Sequence, residues 1–268
     1  ELGDMIKVEI HSKEFGRIAT QNAKNVILQK IREEERKVLY DQYYGMEKEV
    51  VTGIVQRVMG KNVSVNLGKA DGILSENEQV KGEEFEPTER IKVYILEVKD
   101  TPKGPRILLS RTHPGLVKRL FESEVAEVKD GTVEIKSIAR EAGSRTKIAV
   151  WSNDPDVDPV GACVGMNGAR VNSIVEELRG EKIDIINWDE NPAILIENAL
   201  SPAKVIAVMA DPDEKTALVV VPDYQLSLAI GKEGQNARLA ARLTGFKIDI
   251  KSETQARESG ELYDYDDE

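Results

Sequence analysis

Gly165-Met166-Asn167-Gly168 and Gly231-Lys232-Glu233-Gly234 are two copies of one pattern, a pair of glycines with two residues between them. Each loop stands between two helical stretches, and each following helix gives way to the same strand, Lys182-Ile183-Asp184-Ile185 and Lys247-Ile248-Asp249-Ile250. The loops lie 66 residues apart and the strands 65, so the chain repeats one supersecondary unit. Glycine at both ends of such a loop permits torsions closed to other residues and leaves no Cβ to block a phosphate. The next helix starts at once, so its free N–H groups and positive dipole end face the same place. A single GxxG is weak and often merely turns one helix into another. Two in matched surroundings, each with its own KIDI strand, point instead to a repeated binding element.

Around the first loop the pattern reads helix over 116–125, strands over 132–138 and 146–151, the apolar stretch 159–164, the loop, helix over 169–179 and strand over 182–187. Around the second it reads helix 192–200, strands 205–209 and 217–221, helix 224–230, the loop, helix 235–244 and strand 247–250. Helix–strand–strand–helix–helix–strand, twice over, is the order of a type II KH domain, an α+β module that grips a single nucleic-acid strand. A duplex hides its bases, so this geometry selects single strands. Only Asn187 to Pro192 separate the copies, and so short a link predicts rigid docking.

Residues 46–112 change period. Val51-x-Gly53-x-Val55, Val63-x-Val65-x-Leu67, Ile91-x-Val93-x-Ile95 and Ile107-x-Leu109 alternate in steps of two, punctuated by Gly60, Gly68, Gly72 and Gly104. Several short strands in so few residues predict a small closed barrel. With Gly68-x-x-Asp71-Gly72-Ile73-Leu74 and the ending Leu109-Ser110-Arg111, the stretch resembles the all-β, OB-type S1 barrel of ribosomal proteins and ribonucleases. Such barrels stack bases on aromatic residues. Here only Phe85 and Tyr94 are aromatic, and none stands near Lys61-Asn62-Val63, so the barrel reads as a weak RNA binder or a spacer. Before it, residues from Ile18 to Tyr44 read as one long helix with one packed and one solvated end, a connector between domains.

Composition bounds the rest. The 268 residues suit two or three small domains, no run of eighteen apolar residues could span a membrane, and Cys163 has no second cysteine with which to pair. A cytoplasmic chain is therefore the default. It opens on Glu1 without Met, directly before a strand-like alternation over 5–10, which suggests an N-terminal truncation. The net charge of −11 is unusual for a nucleic-acid binder. From Glu253 onward, however, seven acids face one Arg, and the stretch 261–268 has no base at all, so 253–268 reads as an acidic, disordered tail.

The candidate RNA-binding residues are Gly165, Met166, Asn167, Gly168 and Arg170 at the first loop. At the second they are Gly231, Lys232, Glu233, Gly234, Gln235, Asn236, Arg238 and Arg242. Arg238 and Arg242 lie four apart on one helix face and could reach phosphate or be solvated surface. From Gln225 to Lys247 the balance is +3, against zero from Gly161 to Lys182, so the second copy is expected to supply more of the salt-dependent affinity.

Ser110-Arg111-Thr112-His113-Pro114-Gly115, the run from Asp154 to Gly161, and Val221-Pro222-Asp223-Tyr224-Gln225-Leu226-Ser227-Leu228-Ala229-Ile230-Gly231 continuing through Gly245 together resemble the NusA family of bacterial transcription factors. The resemblance implies a connecting helix, an S1 barrel and two KH domains. Their expected bounds are 1–45 for the end of an N-terminal domain with the helix, 46–112 for the barrel, and 113–188 and 189–252 for the KH domains. It implies a monomer that binds single-stranded nascent RNA and RNA polymerase and acts in pausing, termination and antitermination, without cofactor or catalysis. Because polymerase contact in the family is made chiefly by the N-terminal domain, much of it would be missing here. The uncharged Met166-Asn167 pair departs from relatives that often place a base there. Two other readings use the same modules, an RNA-binding appendage of a ribonuclease and a ribosome-assembly or translational RNA binder. Asp154, Asp156 and Asp158 alternate between Pro155 and Pro159 without a bidentate Glu, which reads as a turn and helix cap and not a metal loop.

Overall fold

The computed structural model describes residues 5, 7 and 16–261; residues 6 and 8–10 of the strand expected over 5–10, and the acidic stretch from 262 onward, fall outside them. The chain divides into two compact units, one ending at Arg111 and the other beginning at Thr112.

The first unit starts with α1, Arg17–Tyr44, which runs without Pro or Gly and stops at Gly45. Its apolar markers Ile18, Val26 and Ile31 are exposed. The anchored end is the C-terminal one, where Tyr43 is buried among barrel side chains. The Tyr43 hydroxyl donates to the Leu67 carbonyl at 3.1 Å and accepts from the Lys69 amide at 3.1 Å. The barrel consists of β1 (Val50–Met59), β2 (Asn62–Asn66), β3 (Asp71–Leu74), β4 (Arg90–Thr101) and β5 (Gly104–Ser110). These close in the order β1-β2-β3-β5-β4, with β3 and β5 parallel. The period-two alternation turns Val55, Val65, Val93, Ile95, Ile107 and Leu109 inward. A Cβ on Gly53 would lie 2.3 Å from Val65 Cγ1, and one on Gly72 would lie 2.5 Å from Leu109 Cδ1, so packing explains both glycines. Arg111 fastens the end of β5: its guanidinium donates to Glu83 at 2.7 and 3.2 Å and to the Lys92 carbonyl at 2.7 Å, with the Phe85 ring 5.9 Å away.

The second unit holds the two repeats. The first comprises α2 (Pro114–Glu124), α3 (Ala126–Lys129), β6 (Val133–Glu141), β7 (Arg145–Ser152), α4 (Pro159–Val164), α5 (Ala169–Glu177) and β8 (Lys182–Asn187). The second comprises α6 (Pro192–Ala199), β9 (Ala207–Asp211), β10 (Thr216–Val221), α7 (Leu226–Ile230), α8 (Gln235–Thr244) and β11 (Lys247–Ser252). In each repeat the first two strands pair antiparallel, and the last pairs parallel with the middle one. The copies share one apolar core, in which Ala139, Ala149 and Ile186 of the first pack with Leu195, Ile196, Leu239, Leu243 and their neighbours in the second. Burial of this kind, at about 25 cal/mol per Å², is what makes the short link rigid.

A buried ion pair ties the first repeat together. Glu181 accepts from Arg140 Nη2 at 3.0 Å, from the Gly143 amide at 2.7 Å and from Thr146 Oγ1 at 2.7 Å, while Arg140 Nη1 reaches the His113 carbonyl at 2.9 Å. One carboxylate thereby fixes the β6–β7 turn against the entry to β8 and the start of α2.

The expected tail is corrected over its first part: Glu253–Glu258 form a helix, α9. Ser252 and Gln255 make a reciprocal capping box, and Ala256 is buried. Thr254 docks the helix, its hydroxyl donating to Asp223 Oδ2 at 2.5 Å and its amide to Asp223 Oδ1 at 3.0 Å, and these hydrogen bonds hold the Asp223 carboxyl below its ordinary range. Charge counting missed the Ser-x-x-Gln signature.

Replacing Glu181 by Gln keeps the shape but leaves Arg140 buried without its counter-charge. The expected loss is about 3–5 kcal/mol of stability for the second unit, measured by denaturant unfolding.

Candidate nucleic-acid interface

The two glycine loops have the same backbone. Gly165 and Gly231 sit at φ/ψ of 77/173° and 79/169°, Asn167 and Glu233 at 54/27° and 56/25°, and Gly168 and Gly234 at 74/14° and 74/12°. The torsions of the first glycine belong to a region open in practice only to glycine. Space gives a second reason. A Cβ on Gly165 would lie 2.8 Å from Arg170 Cγ, and one on Gly231 would lie 2.7 Å from the Asn236 amide nitrogen. Each loop is therefore pressed against the residue five places further on.

Helices α5 and α8 begin directly after the loops, and their N-caps are Gly168 and Gly234, which have no side chain to cap them. The first-turn N–H groups are left for an anion. The middle residues point outward: Met166 is 85% exposed, and Asn167, Lys232 and Glu233 are exposed. Lys232 and Arg242 are exposed cations that make no ion pair among the described residues.

The remaining candidates also make contacts within the protein. Arg170 Nη1 donates to Glu127 Oε2 and to the Ala162 carbonyl, both at 2.8 Å, stitching α3 and α4 behind the first loop. The Glu127 carboxyl is held low by a hydrogen bond from its own backbone amide and by Arg170. Asn236, at the equivalent position of the second loop, is 2% exposed and donates to the carbonyls of Leu200 at 3.1 Å and Ala229 at 2.9 Å. Gln235 Nε2 donates to Ser144 Oγ at 2.6 Å, and Arg238 Nε donates to Glu141 Oε1 at 2.7 Å. Both are bolts between α8 of the second repeat and the β6–β7 hairpin of the first. Arg238 Nη1 also donates to the Glu233 carbonyl at 3.0 Å, so this side chain helps to shape the loop.

Another bolt was not legible in the motifs. Lys147 is fully buried, and its ammonium donates to the Ser201 carbonyl of the second repeat at 2.8 Å, with Asp184 at 3.1 Å. Burial depresses the Lys147 pKa, and Asp184 opposes that shift. The two KIDI strands thus differ in use, since Asp184 is the counter-ion of the buried Lys147 on the neighbouring strand whereas Asp249 is exposed.

Between the repeats runs a groove of about 530 Å³ bordered by Val160, Ile185, Asn187, Asn198, Ser201 and Lys204. Its residues are scattered over α4, β8, α6 and the following loop, so no local signal marked them. Tyr224, 79% exposed, and the exposed Leu228 add an apolar surface just ahead of the second loop. In the barrel, by contrast, Phe85 and Tyr94 are both buried and offer no stacking surface. Cys163, under α4, is buried, and burial pushes its thiol up to about 11, so it stays protonated at neutral pH. Asp154 Oδ1 accepts from the Asp156 amide at 2.9 Å, the expected turn, while Asp158 stands at the N-cap of α4 without a side-chain cap bond.

Four family models match the sequence: the NusA N-terminal domain over residues 1–37, the S1 RNA binding domain over 45–110, the NusA-like first KH domain over 111–188 and the NusA-like second KH domain over 192–258. The chain is 60% identical over 259 residues to the transcription termination/antitermination protein NusA of Bacillus subtilis, covering 97% of this chain and 70% of that protein. It is 56% identical to the protein of that name from Halalkalibacterium halodurans, over 98% of this chain and 69% of the relative. For that of Thermus thermophilus the identity is 45%, over 92% and 64%.

Two substitutions test the loop geometry. Gly231→Ala forces a Cβ into a glycine-only conformation and is expected to lower stability by about 1–3 kcal/mol and to weaken RNA binding, measured by denaturant unfolding and fluorescence anisotropy. Glu233→Asn places a residue tolerant of left-handed torsions at that position and removes an anion from the phosphate seat. Tighter RNA binding, with unchanged or higher stability, is the expected result.

Proposed function

The chain belongs to the NusA family of transcription termination/antitermination proteins, and on that premise we propose that its paired KH unit holds one continuous single strand of nascent RNA while the protein acts with RNA polymerase. The observation that carries this reading is the pair of superposable GxxG turns, each feeding an uncapped helix N-terminus, on a single core. Two such seats fixed in one body bind a strand without the entropy cost of ordering two tethered domains. Both lie on one chain, so a single copy suffices.

Phosphate oxygens meet the loop amides and the first turns of α5 and α8, while bases turn toward the apolar edges at β8 and β11 and the groove between the repeats. Lys232 is the cation nearest the second seat in sequence; the first seat offers only Met166 and Asn167. The second seat therefore carries more of the salt-dependent affinity. Gln235, Asn236, Arg238 and Arg170 act from behind, by setting the angle of the loops and of one repeat against the other. The barrel, with both aromatics buried, serves mainly as a spacer between α1 and the KH pair. The role is binding in pausing, termination and antitermination, not catalysis.

Anisotropy titrations with a labelled single-stranded RNA, competed by the same sequence single-stranded and duplexed, test the reading. The single strand is expected to compete at least tenfold better, and equal competition would count against the proposed seats. Lys232→Ala is expected to reduce the slope of log K against log salt by about 0.7, the value for one phosphate contact on a single strand. An unchanged slope would remove Lys232 from the interface.

A further inference from the structure

The protein's two tryptophans, far apart in sequence, meet at one end of the first repeat's sheet. The pairing of Val150 with Asn187 puts Trp151 and Trp188 side by side, rings edge to face at 5.7 Å and 87°. They line a groove of about 420 Å³, with Pro155, Val157 and Pro159 as further apolar wall. That volume falls in the range of about 300–1,000 Å³ usual for ligand sites. Trp188 already carries a cation, the Lys136 ammonium 5.1 Å from its ring centroid, whose charge is answered by Glu134 at 2.9 Å. Trp151 is 40% exposed, and no cation lies over it among the described residues.

The charged residues that line the groove, Asp154 and Asp189, are both acidic. The segments that carry them, 152–158 and 187–191, contain no Lys or Arg. Asp154 and Asp189 each use Oδ1 in a local turn, toward the amides of Asp156 and Asn191, and neither makes an ion pair among the described residues. Such a rim repels phosphate, so although Asn187 and Asn198 also border the groove between the repeats, this second groove does not suit RNA. An exposed indole face beside unpaired carboxylates suits a guanidinium or ammonium group.

We propose that this groove docks a basic segment of a protein partner, with an arginine or lysine laid on Trp151 and its charge answered by Asp154 and Asp189. A partner held here would sit beside the RNA path and leave the glycine loops free.

Because Trp151 and Trp188 are the only tryptophans, intrinsic fluorescence of the whole chain reads this groove alone. The probe is an eight-residue peptide alternating Arg and Gly, with a Glu-Gly peptide as control. A saturable change in emission is expected with the arginine peptide and none with the glutamate peptide. Trp151→Ala, read through Trp188, should weaken binding by about 3- to 30-fold, the range of a cation–π contact. Asp154→Asn with Asp189→Asn should weaken it by about 3- to 10-fold. Glu33→Gln with Glu34→Gln, an equal charge change on the exposed face of α1, should leave it unchanged. The proposal is overturned if the arginine peptide gives no saturable change, or if the α1 variant weakens binding as much as the groove variants. It is equally overturned if a single-stranded RNA, and not the peptide, produces the Trp151-dependent change.

Discussion

The torsions of Gly165 and Gly231, φ near 78° with ψ near 170°, are the constraint from which the rest of the KH unit follows. A residue with a Cβ is excluded twice, by the backbone conformation and by the atoms of the residue five positions on. The turn sends the chain from one short helix straight into the next, with no side chain to cap it. It thereby leaves the first-turn N–H groups of the following helix, which a protein normally satisfies internally, without a side-chain cap. Everything behind the loop serves to hold that geometry. Arg170 stitches the first loop from behind, and the buried Asn236 amide does so for the second.

Two seats make a clamp only if their separation is fixed, and the inter-repeat contacts fix it. Apolar side chains of both copies fill one core, and the polar contacts placed on it are specific. Lys147 gives up hydration to reach the Ser201 carbonyl and is offset by Asp184. Arg238 spans from the second loop to Glu141 of the first repeat. The last contact couples the two functions of α8, since the side chain that shapes the loop also sets its position against the neighbouring domain.

Much of this was legible in the sequence because it rests on local signals. The GxxG pairs, the KIDI strands, the period-two alternation of the barrel and the uninterrupted helix before it all correspond to elements that form where the pattern puts them. What was not legible depends on partners distant along the chain. Arg238 and Arg242, four apart on one helix, carry the same signal and are both exposed, yet only Arg238 makes an ion pair among the described residues, with Glu141. Asn236 beside a phosphate seat reads as a ligand until its burial is seen. Asp184 and Asp249 occupy the same place in identical tetrapeptides and differ because Asp184 stands opposite Lys147 on the paired strand whereas Asp249 stands opposite Leu218. Net charge misled at Glu253–Glu258, where a capping box and one buried alanine suffice to fold an acidic stretch.

The most direct test of the clamp is to spoil its seats separately and together with Gly-Asp-Asp-Gly loops: Met166→Asp with Asn167→Asp, and Lys232→Asp with Glu233→Asp. Affinity for a single-stranded RNA long enough to reach both loops is measured by anisotropy, with circular dichroism as the check on folding. A rigid two-seat clamp predicts that each single-loop variant binds more weakly, the second more so than the first, and that the double variant loses binding while remaining folded. A folded double variant that binds RNA like the parent would contradict it.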